Sequence, residues 1–443
     1  MFYANHLLLY DKINFSNMFI EQLKIKNFKG FSEESFQFKD QFTVIIGNNG
    51  SGKTSILDAL AVAAGCYLIP LGDGQKKQRT IHKGEVRVAE TQKSVFEPQF
   101  PCEITAEGFC GEWKRSIEKR TYSNTTKHTK SITSISEDVF ARVSSGEDVT
   151  LPLFAYHGTG RLWAELNDSV KYATQGSRTE GYENCFSVKS SSKTFRNWYK
   201  TLEKNIDKKD SEELKQRLST FKEAILNCLE DWDDLYYDFA EDDIVCVRYN
   251  DDNSRLSIPY RMMSDGYRNM IGMIADIAYR CIKLNPHLGV NALKETTGLV
   301  LIDELDLHLH PSWQKAIVKE LTTSFPKIQF VATTHSPFIV QSLAKDQIIN
   351  LENQELINEP YDVSLETNAL YMGVKSSRSN IFSEKEKASE EFFKALESYT
   401  GTDEEKADIE EKFNEYMRLY SDDPVSVAKL NLAKIARLNR KWQ

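Results

Sequence analysis

The stretch QFTVIIGNNGSGKTSILDALAVAAG, residues 41–65, decides the fold. Its first seven residues run apolar into a glycine, which reads as a buried strand entering a tight turn. SILDALAVAAG (55–65) reads as a helix closed by glycine. Between them Gly47-Asn48-Asn49-Gly50-Ser51-Gly52-Lys53-Thr54 fits G-x-x-x-x-G-K-[ST]. Glycines let successive backbone N–H groups curl around phosphate oxygens, and the helix N-terminus adds its dipole. Lys53 would reach the β- and γ-phosphates of a nucleotide, while the Thr54 hydroxyl, with Ser55 beside it, would face Mg2+. Gly47 to Ser55 are therefore the candidate ATP-binding residues, and ATP and Mg2+ the expected ligands.

Working outward, FIEQLKIKNF (19–28) alternates apolar and polar with period two and reads as a half-buried strand. Residues 100–120 read as a β-hairpin in an antiparallel insert, and 76–130 carry a mild basic bias that suits a solvated sheet face. From Phe195 to about Asp234 the chain is charge-rich with helical periodicity, long enough for one or two helices but for no coiled-coil arm. Residues 270–284 form a helical pattern, 298–304 a strand, 312–325 a helix and 328–335 a strand. Beyond about 380 the chain is polar and helical. Its last stretch puts Ala428, Leu432, Ile435, Leu438 and Trp442 at helical spacing. No internal repeat is present.

Leu299-Val300-Leu301-Ile302-Asp303-Glu304 is an apolar strand ending in two carboxylates. An acid at the tip of a buried parallel strand is where Mg2+ and phosphate meet. Asp303 is the candidate metal holder, together with Thr54, and Glu304 the residue that orients the attacking water. AYHGTGRLW (155–163) is a strand ending in a Gly-rich turn, whose Arg161 could bring a cation to phosphate. His308 and His310 stand two apart, poor geometry for two metal ligands on one helix face.

The chain has 443 residues, with 56 Lys+Arg against 65 Asp+Glu and a net charge of −9. The twelve acids and five lysines of 383–415 account for 7 of those 9 charges, so the rest is nearly neutral and neither demands nor forbids nucleic acid. Glycine and proline are sparse, which excludes collagen-like and largely disordered chains. Seven scattered cysteines without a CxxC pair point to free thiols in a reducing compartment, here the bacterial cytoplasm. No run of eighteen apolar residues stands out as a membrane span, and the first seventeen residues lack the features of a signal peptide. The first clear strand starts directly after Met18, an alternative start.

Ser264-Asp265-Gly266-Tyr267-Arg268 precedes a helix and resembles the signature motif of ABC-type ATPases, in the form of the RecF/SMC-like and OLD-like groups. His335, at the end of the strand following Asp303 by 32 residues, resembles the switch histidine that senses the γ-phosphate. The resemblance implies that Ser264, Asp265 and Gly266 act in trans on ATP bound to a second copy. A homodimer or higher oligomer would then sandwich ATP between heads. Asp306, with His310, occupies the place of the loop that touches the opposite site. His335 joins Glu304 as a candidate catalytic residue. The metal-contacting glutamine of such heads has no evident counterpart. FRNWYKTLE, AYHGTGRLW, SDGYR, IDELDLHLHP, TTHSP and a helical tail with DDPVSVAKLNLAKI together resemble the ATPase subunits of Septu-type anti-phage defence, an AAA family that works with a separate HNH-type (PtuB-like) nuclease, some members being linked to retrons.

The expected fold is α/β, an ABC-type P-loop NTPase head with an antiparallel β insert, a short helical lobe and a helical C-terminal tail. The expected divisions are an N-terminal extension (1–18), lobe I with its β insert (19–185), a short helical insertion (186–260), the remaining core (261–380) and partner-docking helices (381–443). The alternatives are a RecF-like DNA-repair ATPase with DNA as partner and an OLD-like ATP-dependent endonuclease. The 108 residues after His335 show no strand–acid pair of a Toprim nuclease.

Overall fold

The computed structural model describes residues 20–72, 78–162, 177–187, 192–209, 211–229, 231–352, 356–374, 380–420 and 424–438. The expected N-terminal extension lies outside them. The chain divides after Gly373 into two compact units, seven residues before the boundary expected at 380/381.

The first unit is organised by a parallel sheet of five strands: β3 (Phe42–Ile46), β9 (Leu153–His157), β13 (Gly298–Ile302), β14 (Ile328–Thr333) and β15 (Ile348–Asn350), in the order β15-β3-β14-β13-β9. Every residue of β3, β9, β13 and β14 is buried. Such strands are covered on both faces, and their sequences run continuously apolar instead of alternating. Phe42 stacks on Phe330 across the β3–β14 pair, ring centroids 5.6 Å apart. The strands are parallel, so the loop after β3, the acids after β13, the threonines after β14 and the glycine turn after β9 all leave one edge of the sheet.

An antiparallel sheet of β1 (Ile20–Phe28), β2 (Phe31–Gln37), β6 (Cys102–Gly108), β7 (Gly111–Ile117) and β8 (Asn124–His128), ordered β2-β1-β6-β7-β8, forms the β insert, with a separate hairpin of β4 (Val88–Gln92) and β5 (Val95–Pro98). Two polar side chains join it to the parallel layer. Trp113 Nε1 donates to the Ala63 carbonyl at 2.9 Å, fastening β7 to the helix Lys53–Gly65. Gln329 of β14, 1% exposed, accepts from Ile20 N–H and donates to the carbonyls of Ile20 and Lys39, all within 2.8–2.9 Å. Lys53–Leu71, apolar and long enough to cross a membrane, is mostly buried and serves as the core helix here.

The insertion expected to be helical is only half so. Helices Ser192–Lys209 and Glu212–Leu226 fill its first part, but β10 (Asp234–Asp238), β11 (Asp243–Tyr249) and β12 (Arg255–Pro259) form an antiparallel sheet in the second. Leu235 and Tyr237 alternate inward along β10 and β11 is an apolar run, while acidic and Asn-rich turns separate the strands. All seven cysteines are free thiols, six of them buried.

The second unit packs helices Asn380–Ser398, Asp403–Leu419 and Pro424–Leu438 around Phe392, Ile409, Phe413, Tyr416 and Leu430. Thr402 caps the second of these helices and Glu405 returns the contact in a capping box. In the last helix the expected stripe is not the packed face. Leu430 is buried, whereas Leu432 and Ile435 are 67% and 56% exposed. Leu438 and Trp442 lie outside the residues whose side chains are described.

Replacing Gln329 with leucine, nearly the same shape, strands the Ile20 N–H and two carbonyls in the core. A loss of at least about 2 kcal/mol is expected, read as a lowered urea midpoint with unchanged slope; an unchanged midpoint refutes this role for Gln329.

Candidate functional site: the C-terminal edge of the parallel sheet

β3 ends at Ile46, and the chain turns through Gly47–Gly52 into the helix Lys53–Gly65. Gly52 has φ +102°, and a Cβ there would lie 2.5 Å from the Phe31 ring, so the turn admits glycine alone. Lys53, 8% exposed, folds back so that Nζ donates to the carbonyls of Gly47 (2.8 Å) and Asn48 (3.0 Å). Its ammonium pKa is lowered, first by burial, while the nearby carboxylates Asp303, Glu304, Glu352 and Asp306 work to raise it. Ser51 Oγ is buried without a hydrogen-bond partner among the described residues. The first N–H groups of the helix lack intrahelical acceptors by its geometry. A loop with an orphaned hydroxyl, a lysine on its rim and a helix N-terminus behind it suits a polyphosphate.

Asp303, just past β13 and 5% exposed, is the meeting point of the other strands. One carboxylate oxygen accepts from Thr333 Oγ1 at 2.7 Å and the other from Thr54 Oγ1 at 3.0 Å. Its N–H donates to the His157 carbonyl at the end of β9 (2.8 Å). A threonine hydroxyl facing a carboxylate is the hard-oxygen pair that Mg2+ prefers, so Thr54 and Asp303 fit the ion expected from sequence.

Glu304 is half-buried and adopts φ +50°, a left-handed backbone that non-glycine residues rarely take. Its N–H donates to Thr333 Oγ1 at 2.8 Å. Asp306 Oδ1 accepts from Thr334 Oγ1 (2.6 Å) and from the His335 N–H (3.1 Å), which ties the loop after β13 to the end of β14. His335 itself is exposed. His310 caps the helix Pro311–Ser324, its Nδ1 2.8 Å from Ser312 Oγ.

Ser264 stands at the N-terminus of the helix Asp265–Leu284, exposed, and its hydroxyl makes no capping bond there. Asp265 is bonded to Arg268. Gly266 is buried against the loop after β13, where a Cβ would lie 2.6 Å from the His308 carbonyl. Tyr267 packs edge-on against Trp313, centroids 4.5 Å apart.

Arg161 departs from the expectation that it faces phosphate. Its three guanidinium nitrogens donate to the carbonyls of Gly158, Asp303 and Glu304 and to Asn269 Oδ1, and burial lowers its pKa to about 10. The structure adds residues that the motifs did not indicate. Thr333 could have been suspected from its place in TTHSP. Glu352 could not: its carboxylate accepts from Asn48 N–H (2.6 Å) and Asn48 Nδ2 (2.7 Å) across 304 positions of sequence. No glutamine ends the strand beside β13, where the chain reads His157-Gly158-Thr159-Gly160-Arg161.

Residues 22–231 match the family model described as AAA domain and residues 159–340 the one described as AAA ATPase domain. The chain is 26% identical over 408 residues to the Retron Ec83 probable ATPase of Escherichia coli, covering 78% of this chain and 73% of that protein. It is 25% identical over 357 residues to the Septu protein PtuA of Bacillus thuringiensis, covering 75% of each. Among solved structures, an SMC head bound to the C-winged helix domain of ScpA aligns with a TM-score of 0.44 and 17% identity, over 75% of this chain and 94% of that one. The phosphate loop and the acidic strand tip share one sheet edge and lie inside the two segments, 22–231 and 159–340, that match AAA ATPase domain models; these segments are AAA-type ATPase domains, and ATP hydrolysis is the chemistry they support.

Proposed function

We propose that the chain is the ATP-binding and ATP-hydrolysing regulatory subunit of an anti-phage defence complex, controlling a separate HNH-type nuclease. The observation that carries the enzymatic part is the Asp303 carboxylate, hydrogen-bonded at once to the phosphate-loop threonine and to the strand bearing the switch histidine. Mg-ATP bound there would have its phosphates in the Gly47–Ser55 loop and its metal between Thr54 and Asp303. Glu304 would orient the attacking water and His335 would contact the γ-phosphate. Ser264, exposed at a helix N-terminus that its hydroxyl does not cap, is suited to reach the nucleotide of a second head, with Gly266 letting that helix pack against the His308 carbonyl. The likeness to retron and Septu proteins supports the defence role. The C-terminal helices are the proposed docking element, and the exposed Leu432 and Ile435 give them an apolar face. The working compartment on this reading is the cytoplasm.

Lys53→Ala is expected to weaken binding of a fluorescent ATP analogue by at least about tenfold; unchanged affinity rejects the phosphate-loop assignment. Glu304→Gln should bind ATP normally, accumulate ATP-dependent dimer in size-exclusion light scattering, and hydrolyse at least about tenfold more slowly. Full turnover in that variant rejects the water-orienting role. Gly266→Ala should stay folded but lose turnover, because the added methyl pushes the signature helix off the His308 carbonyl.

The complex is tested by affinity purification of the full chain from its native host in ATP. Stoichiometric recovery of a small HNH nuclease supports the proposal, as does its loss in Leu432→Glu/Ile435→Glu with ATPase rate unchanged. Recovery of DNA with replication or repair proteins instead favours a RecF-like clamp.

A further inference from the structure

The loop after β13 carries two residues in left-handed conformation, Glu304 at φ +50° and His308 at φ +62°. Neither is glycine, so the surrounding structure must hold them there. Two side chains from elsewhere do so. Arg161 Nη1 donates to the Asp303 carbonyl at 2.7 Å and Nη2 to the Glu304 carbonyl at 2.9 Å, so one planar fork takes two consecutive peptide oxygens. Nε of the same guanidinium is bonded to Asn269 Oδ1. Asn269 sits on the helix Asp265–Leu284, one turn inside its N-terminus, and its Nδ2 donates to the Leu307 carbonyl at 2.7 Å. Both side chains are buried, 6% and 4% exposed.

We propose that Arg161 and Asn269 are positioning residues for Glu304. They fix the backbone turn that aims its carboxylate, and they make the helix beginning at Ser264 part of that support. Every nitrogen of Arg161 is engaged by the protein, so the pair acts through Glu304 rather than on the nucleotide. The proposal rests on the reading of Glu304 as the water-orienting group. A lysine at 161 keeps the charge but offers a single point donor that reaches only one carbonyl.

The test uses the full chain, with Asn269→Ala and Arg161→Lys assayed for phosphate release from Mg-ATP, affinity for a ribose-labelled ATP analogue, and thermal unfolding. Each variant is expected to lower kcat about tenfold or more, with analogue affinity within about twofold of the parent; the chain still unfolds cooperatively, at a lowered melting temperature because buried polar groups lose a partner. Combined with Glu304→Gln, neither should slow hydrolysis further, because the group they position is already disabled. Asn269→Ala turning over at half the parent rate or more overturns the proposal. So does a loss of affinity in step with kcat, or a loss that adds to that of Glu304→Gln, since either marks general support of the fold. If Arg161→Lys unfolds, Asn269→Ala decides. Glu304→Gln alone separates the two readings: full turnover there removes the water-orienting role and the positioning with it. Slow turnover there beside a normal Asn269→Ala removes only the positioning.

Discussion

A buried carboxylate without partners would be untenable, and Asp303 is buried. The site is arranged around meeting its needs. One oxygen requires the Thr54 hydroxyl, so the phosphate-loop helix must start at the sheet edge. The other requires Thr333, so β14 must run between β3 and β13 and end level with them. Its backbone N–H requires the His157 carbonyl, which fixes β9 on the outer side. Removing any one of these elements leaves the Asp303 carboxylate or its backbone N–H short of a partner in the core, and that penalty ties the elements together.

Around this point the loop from Glu304 to His310 carries two non-glycine residues in left-handed backbone, and it is held from three directions. Thr334 and the His335 N–H are bonded to Asp306 from the end of β14, Arg161 holds the carbonyls of Asp303 and Glu304, and Gly266 brings the helix Asp265–Leu284 against His308. The motifs that stand far apart in the sequence are thus in direct contact, the helix after Ser264 meeting the acidic loop at Gly266 and through Asn269.

The candidate site was legible where its signal is contiguous. Gly47–Thr54 and the acids after Leu299–Ile302 are each short runs of restricted residue type, and the structure places both at one edge of the parallel sheet. The parallel strands were legible too, because burial on both faces makes them continuously apolar. The misses have physical reasons. Glu352 meets Asn48 across 304 positions, and Arg161 binds backbone carbonyls, which leave no side-chain signature in sequence. The β10–β12 sheet was hidden by acidic turns and by the helical periodicity just before it. The last helix presents Leu432 and Ile435 outward because Leu430 already fills the small core of its unit.

The strand order has a consequence for how the chain is made. β14 lies between β3 and β13, yet β3 ends at residue 46 and β14 begins at residue 328. During synthesis, at about 5–20 residues per second, β3 therefore emerges roughly 15 to 60 seconds before its central neighbour exists. Over that interval the largely apolar β3 lacks both of the strands that pair with it in the parallel sheet, β14 and β15. The Gln329 bridge to Ile20 can close only when β14 arrives.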